Sequence, residues 1–205
     1  MTIHLRKMYV DCRFGQLHMH TSFPSSGGFD ELTPLVCIAP PSQTGRLYRP
    51  LLRDLGRDRS VYAPDLPGTG ESDAPDHSPH VGDFAAACVD MLESLRLKHV
   101  DVVGYHAGSL AAIEFAIARP EQVRRVALIG VPSSDGGGYQ VGERLPLVRQ
   151  PVMIMRARDE FWESTGRTDP LLREARRVEL QHPTGAVFES GAEEVIRVAR
   201  DFFDR

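Results

Sequence analysis

Short apolar runs alternate with amphipathic stretches along this chain. Residues 34–39, 60–63, 100–103, 125–129, 151–155 and 177–180 are brief, rich in Val, Ile and Leu, and bounded by Gly, Pro or charge. Apolar runs of this length without strict alternation predict strands buried on both faces, as in parallel sheets. Between them the spacing turns helical. From Asp83 onward, Phe84, Cys88, Met91, Leu92 and Leu95 recur at three- and four-residue steps, with Asp83 placed as N-cap. Leu110, Ile113, Ala116 and Ile117 predict a second helix, from Gly108 to just before Pro120. Val195, Ile196, Ala199 and Phe202 predict the last one, over about 192–203. Residues 9–18 predict a hairpin turning near Gly15, and residues 132–138 an exposed connection. Arg173, Arg176 and Arg177 have the spacing of a solvated helix face. Strands alternating with helices predict the α/β class, a mostly parallel sheet with helices on both faces.

Composition narrows the class of partner. The chain has 205 residues, with 24 Lys plus Arg against 28 Asp plus Glu and a net charge of −4. That length predicts a single domain over 1–205 that buries its core without disulfide or metal staples. The acidic balance argues against a nucleic-acid surface, which needs clustered Lys and Arg. No apolar run approaches the ~18 residues of a membrane span. The N-terminus soon breaks into charge, so no signal peptide is expected. Cys12, Cys37 and Cys88 lack CxxC spacing and read as reduced thiols of a cytoplasmic protein.

Two segments carry chemistry. The first is Val61-Tyr62-Ala63-Pro64-Asp65-Leu66-Pro67-Gly68-Thr69-Gly70-Glu71-Ser72-Asp73. The second is Val102-Val103-Gly104-Tyr105-His106-Ala107-Gly108-Ser109-Leu110, a strand entering a helix through a G-x-x-x-G turn. Glycines at both ends permit a tight turn that lifts the central side chain above the sheet's carboxyl edge. A helix N-terminus there favours developing negative charge. With the hairpin, these segments resemble the α/β-hydrolase superfamily over nearly the whole chain.

The resemblance implies an active site from which this sequence departs. The family places Ser, Cys or Asp at the elbow, where this chain has His106. Its oxyanion donors would fall at Ala107 and near Pro41 and Ser42, and Pro41 has no N–H to give. The acid should follow the 151–155 strand; the count favours Glu160, with Asp159 the close alternative. The position of the triad histidine falls on Gly185, with His182 three residues earlier. Tyr105 flanks His106, placed for packing or for touching a ligand. A helical cap usually enters between the sixth and seventh strands, whereas residues 131–150 are only a short connection. The cleft is therefore expected to be open, with apolar lining that a second copy would cover in a homodimer.

Three readings stay open. In one, His106 is a working base or nucleophile with Glu160 or Asp159 beside it, and His182 a second acid/base, on a small ester, lactone or carbonyl compound. In another, the chain is a catalytically silent scaffold for a ligand or protein partner. In the third, it is a non-hydrolytic acid–base enzyme. Other residues have plainer roles. Asp65 is expected to fix its turn, Trp162 to line the cleft or pack in the core, and Ser109 to sit inside the helix start. His18 and His20 face one side of a strand and are expected to be structural. His77 and His80 lie in a loop with no evident acid cluster. No metal and no cofactor are expected.

Overall fold

The computed structural model describes residues 3–25, 32–172, 174–183, 188–189 and 191–204. The chain opens with a hairpin of β1 (Ile3–Cys12) and β2 (Gly15–Pro24), paired along its full length. Then follow β3 (Leu35–Ile38), α1 (Arg49–Leu55), β4 (Val61–Pro64), α2 (Val81–Ser94), β5 (Val100–Tyr105), α3 (Gly108–Ala118) and β6 (Val123–Ile129). After a short helical turn, α4 (Val141–Arg144), come β7 (Val152–Arg158), α5 (Trp162–Gly166), β8 (Arg176–Pro183) and α6 (Ala192–Phe203). All eight strands form one sheet in the order β1-β2-β4-β3-β5-β6-β7-β8. It is parallel from β4 to β8 and antiparallel only where the hairpin joins. This is the α/β-hydrolase architecture.

Side chains on the two faces of the sheet feed separate cores. Val36, Ile38, Val102 and Leu128 pack beneath α2 and α3. Leu35, Cys37, Val103 and Ala127 pack on the other side, against α1 and α6. Continuous burial of β3, β4 and β5 is why these strands read as unbroken apolar runs. On the second side, Arg200 of α6 pairs with Asp54 and Asp58 at the end of α1. Arg59, fully buried, pairs with Asp58 and Asp204.

Some sequence expectations are revised. Helix α2 is capped by His80, whose ring accepts from Gly82 N while the Asp83 carboxylate accepts from His80 N at 3.0 Å. Asp83 is thus the third helical residue of a capping box, not the N-cap. The same fold brings Asp83 to 3.1 Å from His77, so this histidine pair does have an acid beside it. Arg176 and Arg177 lie on β8, not on a helix, and Arg173 falls outside the described residues. Helix α1 begins Arg49-Pro50 and went unread in the sequence. Cys37 and Cys88 are buried and Cys12 partly so, and all three are unbridged. Among the described residues no helix is long and apolar enough to cross a membrane.

One contact sets how closely α3 approaches the sheet. A Cβ on Gly108 would stand 2.2 Å from the carbonyl oxygen of Ile38 and 2.7 Å from that of Ala39. Gly108→Ala is expected to cost about 1–3 kcal/mol by overpacking. Gly142→Ala, in α4 with nothing within 4 Å of its Cβ position, should be neutral or stabilise by up to roughly 1 kcal/mol. Urea midpoints of the two variants check the contrast.

Candidate active site

The elbow follows from crowding. Gly104 is the next-to-last residue of β5, where a Cβ would meet Ser109 Cα at 2.7 Å and Ala112 Cβ at 2.9 Å. With Gly104 of β5 pressed against α3, and Gly108 of α3 pressed against the end of β3, the chain has too little room for an extended turn. His106 absorbs the difference in a left-handed conformation, φ 49°. That conformation costs a non-glycine residue on the order of 1–2 kcal/mol, and hydrogen bonds hold it. His106 N donates to Ile129 O at 2.9 Å, and Ser109 N donates to His106 O at 2.9 Å. Ser109 itself is buried, its hydroxyl 3.4 Å from Ile129 O, turned to β6 and away from any nucleophilic role.

The imidazole of His106 reaches across to the end of β7. Its Nε2 lies 3.1 Å from Asp159 Oδ2, and the Asp159 side chain is fully buried. The other Asp159 oxygen accepts from Phe161 N at 2.9 Å, which orients the carboxylate. The sequence count favoured Glu160, but the structure reverses the order. Asp159 N bonds back to Ala157 O, turning the chain so that Asp159 faces inward and Glu160 outward. Glu160 stays 69% exposed, its Oε1 4.0 Å from His106 Nδ1. A one-residue slip at a strand end decides which carboxylate points in.

Aromatic rings hold the imidazole in place. Tyr105 stacks on it at 3.7 Å and Phe161 meets it edge-on at 4.6 Å. Burial, with Asp159 and Glu160 nearby, pushes the Tyr105 phenol up to about 12, so Tyr105 packs as a neutral ring. Trp162 points elsewhere, under the Arg156 guanidinium at 3.7 Å. Gly130 closes the other side. Its φ is 60°, and a Cβ there would lie 2.6 Å from His106 Cδ2. Neither Phe161 nor Gly130 was singled out from sequence, although a glycine directly after an apolar strand was a visible signal.

The remaining candidates are less concentrated. Ala107, next to His106, is the N-cap of α3, where the first amides have no helical acceptor. Pro41 and Ser42 lie in a turn closed by Gln43 N to Pro40 O, and Pro41 O accepts from the Thr69 hydroxyl. Pro41 has no amide hydrogen, and Ser42 is exposed. His182 falls on β8, with its side chain and Gly185 outside the described residues.

A family model described as alpha/beta hydrolase fold matches residues 34–150. The chain belongs to this family. Among curated relatives, a 2-hydroxy-6-oxo-2,4-heptadienoate hydrolase of Pseudomonas putida is 38% identical over 85 residues, 40% of this chain and 30% of that protein. A 2-hydroxymuconate semialdehyde hydrolase of a Pseudomonas species is 33% identical over 102 residues, 49% of this chain and 35% of that protein. The matched part thus spans about a third of these relatives' length. Of solved structures, the enol-lactonase of Burkholderia xenovorans superposes with a TM-score of 0.86 at 14% identity, covering 97% of this chain and 100% of the other. Naproxen esterase of Bacillus subtilis gives 0.81 at 18%, covering 98% and 92%. At these identities the structural likeness speaks for the fold alone.

Gly130 offers a test of how tightly the pair is held. Gly130→Ala should lower stability by about 1–2 kcal/mol, the cost of a left-handed alanine, and also shift the His106 ring resonances. Gly136→Ala, equally left-handed at φ 80° but with nothing within 4 Å, should cost stability without moving those resonances. NMR spectra and urea midpoints of both variants separate strain from contact.

Proposed function

We propose that the chain hydrolyses a small ester, lactone or related carbonyl compound, with His106 as general base and Asp159 as its partner. The observation that carries this reading is the His106–Asp159 hydrogen bond at the elbow. An ionised carboxylate only accepts, so Nε2 carries the proton and Nδ1 keeps the lone pair. One side chain thereby spans the gap between elbow and acid, which family members fill with a nucleophile and a histidine.

The chemistry follows from that tautomer. A water hydrogen-bonded to Nδ1 gives up its proton as its oxygen attacks the carbonyl carbon. The developing oxyanion faces the Ala107 amide at the start of α3. Collapse expels the alkoxide, which takes the proton back from the imidazolium, and acid and alcohol leave. Asp159 stabilises the transient imidazolium and fixes the ring. A base acting through water asks less of this site than an acyl-imidazole does. The ring is 15% exposed between Tyr105 and Phe161, so little space is left for a substrate carbon to bond Nδ1. Family membership and the hydrolase names of the relatives support the reaction class.

A second reading, the catalytically silent scaffold, is favoured by one specific observation. Pro41 stands where a second oxyanion donor is usual, and each such donor contributes about 2.7–4 kcal/mol. Hydrolysis of p-nitrophenyl acetate separates the two. The base reading predicts a saturable rate above that of buffer. His106→Ala should reduce it by roughly 10²-fold or more, and Asp159→Asn should reduce it in the same direction. Non-saturating curves indistinguishable from those of His106→Ala would leave the scaffold. His106→Ser is expected to restore no ordinary esterase rate, because Pro41 still withholds its donor; a strong rate from that change would contradict this account of the site.

A further inference from the structure

A cavity of about 440 Å³ opens on the hairpin, which β4 and β3 separate from the elbow strand β5, with walls from other residues than the His106 cluster. Its floor is the hairpin, with Lys7 opposite His20 and with His18 two residues before His20 on the same strand. Its walls include Arg46, Arg49 and Leu52 beside α1, with Asp65 and Glu71 from the loop after β4.

His18 is the informative residue. Its side chain is buried, and its Nδ1 lies 2.8 Å from Asp65 Oδ2. Asp65 also accepts from Gly45 N at 2.8 Å and from Glu71 N at 3.3 Å, the donors an ionised carboxylate collects. The His18 proton therefore sits on Nδ1, and Nε2 presents a lone pair. Among the described residues that buried Nε2 has no hydrogen-bond partner, and an unmet buried acceptor is costly.

The charges in the cavity do not cancel. Asp65 is saturated as above, and Glu71 accepts from Tyr9 Oη at 2.7 Å and pairs with Lys7 at 3.6 Å. Arg46 and Arg49 make no ion pair among the described residues. We propose that this cavity binds a small hydroxy acid, its hydroxyl donating to His18 Nε2 and its carboxylate facing Arg46 and Arg49. Leu5 and Leu52 supply the apolar walls for its body, and the volume lies toward the small end of ligand pockets, ~300–1,000 Å³. Burial, the largest influence on His20, holds its imidazole below the ordinary range, so that ring is neutral and adds a further polar contact.

A cation is the competing occupant. Ligand atoms of His18, His20 and Asp65 lie within 4.8 Å of one another. The Asp65 oxygens are already engaged, however, which leaves two imidazoles where zinc takes three or four protein ligands. Arg46 and Arg49, without an ion pair among the described residues, also repel a metal ion.

Titration calorimetry on the full chain tests the assignment, with 4-hydroxybenzoate, benzoate, phenol and zinc chloride as probes. The proposal predicts saturable binding of 4-hydroxybenzoate, about fivefold or more tighter than benzoate, which lacks the hydroxyl. Phenol, lacking the carboxylate, should not bind. Substituting both exposed arginines, Arg46→Gln with Arg49→Gln, should weaken 4-hydroxybenzoate roughly tenfold or more, and His106→Ala should leave it unchanged. No saturable binding, equal affinity for benzoate, indifference to the arginine substitutions, or displacement of 4-hydroxybenzoate by zinc would each overturn it.

Discussion

The close approach of α3 to β3 is the constraint on which the rest of the site depends. Gly108 rests against the carbonyls of Ile38 and Ala39, and Gly104 lies under Ser109 and Ala112. Between those contacts only a left-handed residue closes the turn, so whichever side chain stands at position 106 is lifted above the sheet edge. In this chain it is an imidazole, long enough to reach the carboxylate at the end of β7. The backbone strain is offset by the core beneath α2 and α3, which is packed without regard to the chemistry. Fold and site are therefore separable here: the elbow belongs to the scaffold, and the side chain on it decides what is presented above the sheet edge.

Electrostatic arrangement repeats at two places in the sheet. At the elbow, Asp159 meets His106 through Nε2 and leaves Nδ1 open. At the hairpin, Asp65 meets His18 through Nδ1 and leaves Nε2 open. Each carboxylate is oriented by backbone amides, those of Phe161 in one case and of Gly45 and Glu71 in the other. In both, the carboxylate fixes from behind which ring nitrogen carries the proton in the neutral tautomer. The difference lies in what faces the free nitrogen. At His106 it is Glu160, 4.0 Å from Nδ1; His18 lines a cavity with Arg46 and Arg49, which make no ion pair among the described residues.

Much of this was legible before the structure. Apolar runs gave the strands because parallel strands buried on both faces cannot alternate, and α3 and α6 follow from three- and four-residue spacing. The elbow was readable from Gly104 and Gly108 because the turn admits nothing larger. Asp159 was ranked behind Glu160 because counting from a strand resolves position to about a residue, while the turn at Ala157 decides which carboxylate points inward. Asp83 was read as an N-cap because its role depends on where the helix begins, and His80 begins it. The cavity at His18 was hidden for a different reason: Arg46, Arg49, Lys7 and Asp65 are distant in sequence and meet only through the hairpin's place beside β4.

The central claim is that Asp159 fixes the His106 imidazole with its proton on Nε2 and a lone pair on Nδ1. Long-range proton–nitrogen NMR of the histidine side chains reads this directly, since protonated and bare ring nitrogens resonate far apart. The account predicts a protonated Nε2 and a bare Nδ1 for His106 when the ring is neutral, and loss of that preference in Asp159→Asn. A proton on Nδ1 instead, or a pattern unmoved by the Asp159 substitution, would contradict it.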